Sequence, residues 1–178
     1  PHVLMDLIRE LAFLEGEAVQ FSTLSRRFRL SVPTMKSTLD AFENLFLIRS
    51  HGKAYYLEDL GVSRYLTESR EGHPPRTVEK LVYSRLKSLR AYDKSAQISL
   101  SAHRTRGGAY VPFVLESKNY SPIAIAVDED AYLSEKNLKG LYSLKRTRPS
   151  AILIHAHAGD HATIHKNRVL SVPVGWLL

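Results

Sequence analysis

The side chains with the greatest chemical capacity lie in the second half of this chain. His155, His157, His161 and His165 fall within eleven residues, and the first two share one face of the strand-like run Ala151-Ile-Leu-Ile-His-Ala-His157. Neutral imidazoles at that spacing can bind zinc. Asp160 is the one nearby acid to complete or orient them, and two of the four sit in a loop. The set therefore reads as satisfied or exposed histidines on an outer strand, with no metal assigned. Zero cysteines exclude a disulfide framework, thiolate zinc sites and a cysteine nucleophile.

The carboxylates Glu79, Glu116 and Asp128-Glu-Asp130 are the other candidates, and two β-rich runs position them. Tyr110-Val-Pro-Phe-Val-Leu-Glu116 and Ser121-Pro-Ile-Ala-Ile-Ala-Val127 flank the polar turn Ser117-Lys-Asn-Tyr120, the pattern of a β-hairpin. The second run is apolar from Ile123 to Val127, which suits a central strand with helices above and below. Alternation places 124 and 126 on one face, with Asp128 sharing their parity and Glu116 that of Pro112. Asp128 and Glu116 fall at the strand ends.

This hairpin resembles the core of the PD-(D/E)xK nuclease-like domain found at the C-terminal end of a bacterial and archaeal family of P-loop AAA-type ATPases. Members typically read Glu-Val-Asp-Phe-Val-Leu and then Pro-Ile-Glu-Val-Lys. Here the stretches are Tyr110-Val-Pro-Phe-Val-Leu115 and Pro122-Ile-Ala-Ile-Ala126. The apolar frame matches while the charged positions are replaced by Pro112, Ala124 and Ala126. In that fold, two carboxylates hold a hard divalent cation that generates the attacking hydroxide, and the lysine steadies developing charge. The resemblance thus implies a nuclease-like scaffold with no catalytic residues and no cofactor, Glu79 being a lone remnant of the metal site. The alternative is a metal-dependent nuclease whose carboxylates have migrated to Glu116 or Asp128.

Basic residues suggest a different activity. Over residues 76–94, Val78, Leu81, Val82, Leu86 and Leu89 make one apolar helical face. Arg76, Lys80, Lys87, Arg90 and Lys94 fall opposite, with Tyr83 among them, a stripe with the form of a phosphate-tracking surface. The competing reading is a solvated outer face. Residues 1–72 carry nine Lys+Arg and ten Asp+Glu, whereas 73–178 carry sixteen and eight, so the net +7 belongs to the second half. Two units with different partners are expected, 1–70 and 71–178.

The first unit begins with an amphipathic pattern over 3–15, followed by Ser22 where an N-cap would sit and by Pro33 opening the next helix. Leu47-Ile-Arg-Ser50, a turn at His51-Gly52-Lys53 and Ala54-Tyr-Tyr-Leu57 read as a small hairpin. Three helices and a hairpin form a winged helix-turn-helix, an order that the same ATPase family shows before its nuclease-like part. Lys53-Ala-Tyr-Tyr-Leu-Glu-Asp-Leu-Gly-Val-Ser-Arg-Tyr-Leu66 and Val172-Pro-Val-Gly-Trp-Leu-Leu178 also resemble stretches of that family. In such domains the helix from Pro33 lies in the major groove. Lys36 is on it, Arg26, Arg27 and Arg29 precede it, and Lys53 tips the wing, although the unit's acidity favours protein contacts.

The expected class is therefore α+β: a winged helix-turn-helix followed by an α/β PD-(D/E)xK-like core with a mixed central sheet. No Gly-x-x-x-x-Gly-Lys-[Ser/Thr] occurs, so the ATPase module would lie elsewhere, in cis or in trans. The chain begins at Pro1 without an initiator methionine, as a fragment or processed chain would. No apolar run approaches a membrane span and no leader is visible, so a cytoplasmic place is expected. The function implied is recognition or regulation with nucleic acid as partner, or else protein docking and oligomerisation alone.

Overall fold

The computed structural model describes residues 2–67, 76–92, 97–165 and 168–177. Among them are six α-helices, a two-stranded hairpin and a six-stranded mixed sheet, an α+β architecture. The chain divides into two compact units, Pro1–Thr77 and Val78–Leu178. The junction expected after residue 70 lies in 68–75, outside the described residues.

The first unit comprises α1 (His2–Phe13), α2 (Phe21–Phe28), α3 (Val32–Asn44), β1 (Ile48–His51), β2 (Ala54–Leu57) and α4 (Leu60–Thr67). Leu7 and Leu11, one turn apart on α1, share a core with Leu24, Met35, Leu39, Phe42, Ile48, Leu57 and Leu66. Ser22 does not cap α2, which starts two residues earlier than that cap would place it, at Phe21, with Gln20 as its N-cap. The helix ends at Arg29, held left-handed at φ 54°. Ser31 then caps α3, its hydroxyl accepting the Thr34 N–H at 3.1 Å, with Pro33 in the first turn. The hairpin closes at Gly52, whose φ of 62° favours glycine. α4 escapes periodicity because Gly61 weakens the pattern. The Asp59 carboxylate starts it by accepting the Val62 N–H at 2.8 Å. Buried Glu15 fastens it, accepting from the Leu57 N–H at 2.6 Å and from the Ser63 hydroxyl.

The second unit contains α5 (Thr77–Tyr92), which starts at the division, then β3 (Ser99–Arg104), β4 (Tyr110–Ser117), β5 (Tyr120–Asp128), α6 (Glu135–Thr147), β6 (Ile152–His157), β7 (Thr163–Ile164) and β8 (Val169–Pro173). The sheet order is β3-β4-β5-β6-β8-β7. β3, β4 and β5 form an antiparallel meander, whereas β5, β6 and β8 are mutually parallel. β5 is internal, in keeping with its apolar run. Ser134 caps α6 as its position suggests, accepting the Asn137 N–H. α6 covers Val111, Val114, Ala124, Ala126, Leu153 and Val169. On the opposite face, Phe113 stacks on Tyr83 of α5 with ring centroids 6.2 Å apart.

Two features explain unusual residues in this sheet. Ser101 pairs with Val114 but His103 with Val111, so three steps on β4 face two on β3. Pro112 sits in that bulge, where its missing N–H costs no ladder bond. At Gly140, a Cβ would stand 2.1 Å from the Tyr110 carbonyl oxygen. α6 therefore presses against the sheet at a distance only glycine permits. No helix among the described residues is long and apolar enough to cross a membrane.

Candidate functional site

The residues expected around a metal do not face a common cavity. Ala124 and Ala126 do share a strand face, but that face lies under α6 and both are fully buried beside Leu141 and Leu144. Glu79 is on α5, the helix that stacks on the other face of the sheet through Tyr83 and Phe113. It is buried and engaged by neighbouring groups. Pro112 is held in the bulge between the two faces. Alanine has a packing reason here, because a helix as close as Gly140 dictates leaves space for little beyond a methyl group.

The migrated-carboxylate candidates also have structural partners. Glu116 Oε1 lies 2.7 Å from Arg148 Nε. Asp128 ends β5, and its Oδ2 accepts the Ser134 N–H at 3.0 Å while lying 3.2 Å from His155 Nε2. The imidazole approaches off the ideal line, so this is an electrostatic contact more than an aligned hydrogen bond. Burial alone would raise the Asp128 carboxyl pKa. The close contact with His155, and hydrogen bonds from the Ser134 backbone and hydroxyl and from Asn137, outweigh it and hold the group below the ordinary carboxylate range.

Asp128 belongs to a polar cluster at the carboxyl ends of the parallel strands. His155 Nδ1 lies 2.7 Å from Ser171 Oγ on β8. The His157 ring stands 5.1 Å from that of His155, and its Nδ1 accepts the Gly159 N–H at 2.9 Å, which leaves the proton on Nε2. Burial first, then the positive potential of His155 and His165, lowers the His157 pKa. The expected outer strand is thus corrected: β6 is internal, between β5 and β8, and both histidines on it are buried. Parallel pairing with two strands of different connectivity placed them there, which local alternation does not reveal. No group of three or more His, Asp or Glu side chains among the described residues has metal-holding geometry.

Ser171, His155 and Asp128 follow the sequence of nucleophile, base and orienting acid. Access decides against that chemistry: His155 is 0% and Ser171 1% exposed, so no substrate reaches the hydroxyl. The three side chains instead join the ends of β5, β6 and β8. Ser171 escapes sequence reasoning, since its parity with His155 appears only through the β6–β8 register.

The basic stripe on α5 is not a continuous exposed surface. Lys80 is only 4% exposed and Tyr83 is buried, so this side of the helix turns inward instead of lying opposite the core. A tyrosine ring buries more apolar surface than Leu89 loses, and the helix rotates to favour it. Arg76 lies 2.6 Å from Glu17, Lys87 is half-buried, Arg90 is exposed, and Lys94 lies outside the described residues.

In the first unit, α3 presents Thr34, Lys36, Ser37 and Asp40 outward, while Met35, Leu39 and Phe42 hold it to the core. Lys36 Nζ stands 5.5 Å from the centre of the Phe21 ring. Arg26 is exposed with its Nε towards the Ser22 carbonyl, and Arg27 pairs with Glu10. Arg29 and Lys53 are exposed. A groove of about 540 Å³ between α1 and the end of α2 is lined by Phe13, Phe28, Arg27 and Arg29. No protein-family model matches this chain, and comparison with the curated proteins finds no match.

Proposed function

We propose that this chain is a non-catalytic, cytoplasmic recognition region of an AAA-type ATPase: a winged helix-turn-helix that holds duplex DNA, followed by a degenerate PD-(D/E)xK-like core. The observation that carries the proposal is the outward face of α3. It is capped by Ser31, backed by α2 through the tight Arg29 corner, and exposes Thr34, Lys36, Ser37 and Asp40 beside Arg26 and Arg29. A helix so presented fits the major groove, and exposed cations around its start suit phosphates. The hairpin with Lys53 at its turn follows directly. These contacts supersede the α5 stripe as first choice, because Lys80 is buried and Arg76 is paired.

The order of α5, an antiparallel meander, α6 and a parallel strand supports the nuclease-like reading of the second unit. Alanines packed under α6 where the family carries charge support a scaffold without hydrolysis. Fluorescence anisotropy with labelled duplex DNA tests the binding role. Arg29→Ala with Lys36→Ala should weaken binding about tenfold or more at low salt and reduce the log–log salt slope by about 2. Unchanged affinity and slope, or no binding by the wild type, would remove the DNA reading. A magnesium- or manganese-dependent cleavage abolished by Asp128→Asn would instead favour the migrated-carboxylate enzyme.

A further inference from the structure

The sheet of the second unit is covered unevenly. β5, β6 and β8 are parallel, and parallel strands are ordinarily sheltered on both faces. α6 shelters one face, and α5 reaches β4 on the other through Tyr83 and Phe113. The register carries that second face from Ile125 to Ile154, then to Leu170 and Ile164, with Ile123 beside Ile152. Every one of these side chains is aliphatic. Yet Ile152 is 49%, Leu170 36% and Ile164 76% exposed, forming a contiguous strip across β6, β8 and β7. Among the described residues this unit has no third α-helix to lay over it.

We propose that this strip seats an amphipathic α-helix of a partner protein, with acidic residues flanking the helix's apolar stripe. Dimensions are the first reason. Three strands about 4.8 Å apart present a floor about 10 Å wide, the diameter of one helix. The open part of this floor lies at the starts of β6 and β8, where Ile152 and Leu170 are exposed, because Ala156 and Val172 further along the same face are already buried. Aliphatic side chains in register accept anchors at i, i+3 or i+4, and i+7.

Charge is the second reason, and it selects the occupant. Arg168 is exposed immediately before β8. On α5, Arg85 Nε donates to the Leu177 carbonyl at 3.2 Å, which brings this flank of the helix to the chain just past β8. Leu89, one turn on, is 41% exposed, and Arg90 beside it is exposed too. Apolar surface edged by exposed Arg168, in a half carrying a net charge of +8, attracts an acidic partner and disfavours a second copy of the same half. An interface of one helix is below the standard size, so binding is expected in the micromolar range.

Three synthetic peptides of about 14 residues, titrated into the full chain, provide the test. The first has leucines at helical spacing flanked by glutamates, the second the same leucines flanked by lysines, and the third scrambles the first. The glutamate peptide should bind at least about tenfold tighter than either control and shift the amide resonances of β6, β7 and β8. Leu170→Asp or Ile152→Asp should abolish that binding while unfolding stays cooperative. Leu170→Ser, which adds no charge, should weaken it by several-fold and guards against disturbance of the sheet. No binding by any peptide at about 1 mM, equal binding by all three, or full affinity in the variants would each overturn the proposal. So would a wild-type dimer in sedimentation that Leu170→Asp dissolves, since the occupant would then be a second copy. The DNA reading stands or falls independently, because no residue of α3 takes part.

Discussion

Asp128 shows how a residue suited to chemistry can be committed to structure. Its Oδ2 faces both the first turn of α6 and the His155 ring. Replacing it with alanine should cost about 2–4 kcal/mol, because the Ser134 N–H loses its acceptor and a buried imidazole loses the carboxylate beside it. Asp128→Asn keeps an oxygen and should cost about half as much. Urea midpoints check both, and a loss below about 1 kcal/mol for the alanine variant would mean that the cluster contributes little. The parity of Asp128 with Ala124 and Ala126 was legible from alternation. Its partner was not, because His155 lies on a strand that parallel pairing brings alongside after a helical crossover. Nothing local to either residue encodes that meeting.

At the scale of elements, the hairpin, the internal place of β5 and the Ser134 cap could all be read, because each rests on neighbours in sequence. The orientation of α5 could not. Five basic residues at helical spacing suggested one exposed face, whereas Tyr83 and Lys80 turn inward. Periodicity does not weigh a tyrosine against a leucine at the margin of an apolar face. The packing of α6 leads to two expectations. Gly140→Ala should destabilise by about 1–3 kcal/mol or more, since the added carbon meets the Tyr110 backbone instead of a flexible side chain. Ala124→Glu together with Ala126→Lys restores the Glu-x-Lys half of the pattern that the hairpin resembles, with Pro112 still in place of the aspartate. It should abolish cooperative unfolding and confer no cleavage, because both charges would enter the core under Leu141 and Leu144. Metal-dependent cleavage by that double variant would show that the helix gives way.

Across the whole molecule, mild acid should act first on the second unit. His157 and His103 are both there with lowered pKa values, each chiefly by burial, aided at His103 by Arg148 and at His157 by its histidine neighbours. A base whose folded pKa is depressed gives stability that is complete above its unfolded pKa of about 6.5 and lost as pH falls towards the folded value. Asp128 follows the same sign from a lower starting point and acts only below the ordinary carboxylate range. From about pH 7.5 to about pH 5, amide protection in β5 and β6 should therefore fall while that of β1 and β2 persists, with His157→Asn flattening the loss. Equal loss in both units would point to another origin.

The two-unit charge contrast was visible in composition, but α4 was not, since Gly61 obscures it and its hold depends on a distant carboxylate, Glu15. The corner at Arg29 has one more implication. A left-handed φ of 54° suits glycine, and an arginine there costs about 1 kcal/mol. Arg29→Gly should accordingly raise the melting temperature while stripping a guanidinium from the entrance to α3. Laboratory selection for heat resistance alone would drift towards that exchange, and, on the DNA-binding role proposed above, the improved survivors would hold duplex less tightly.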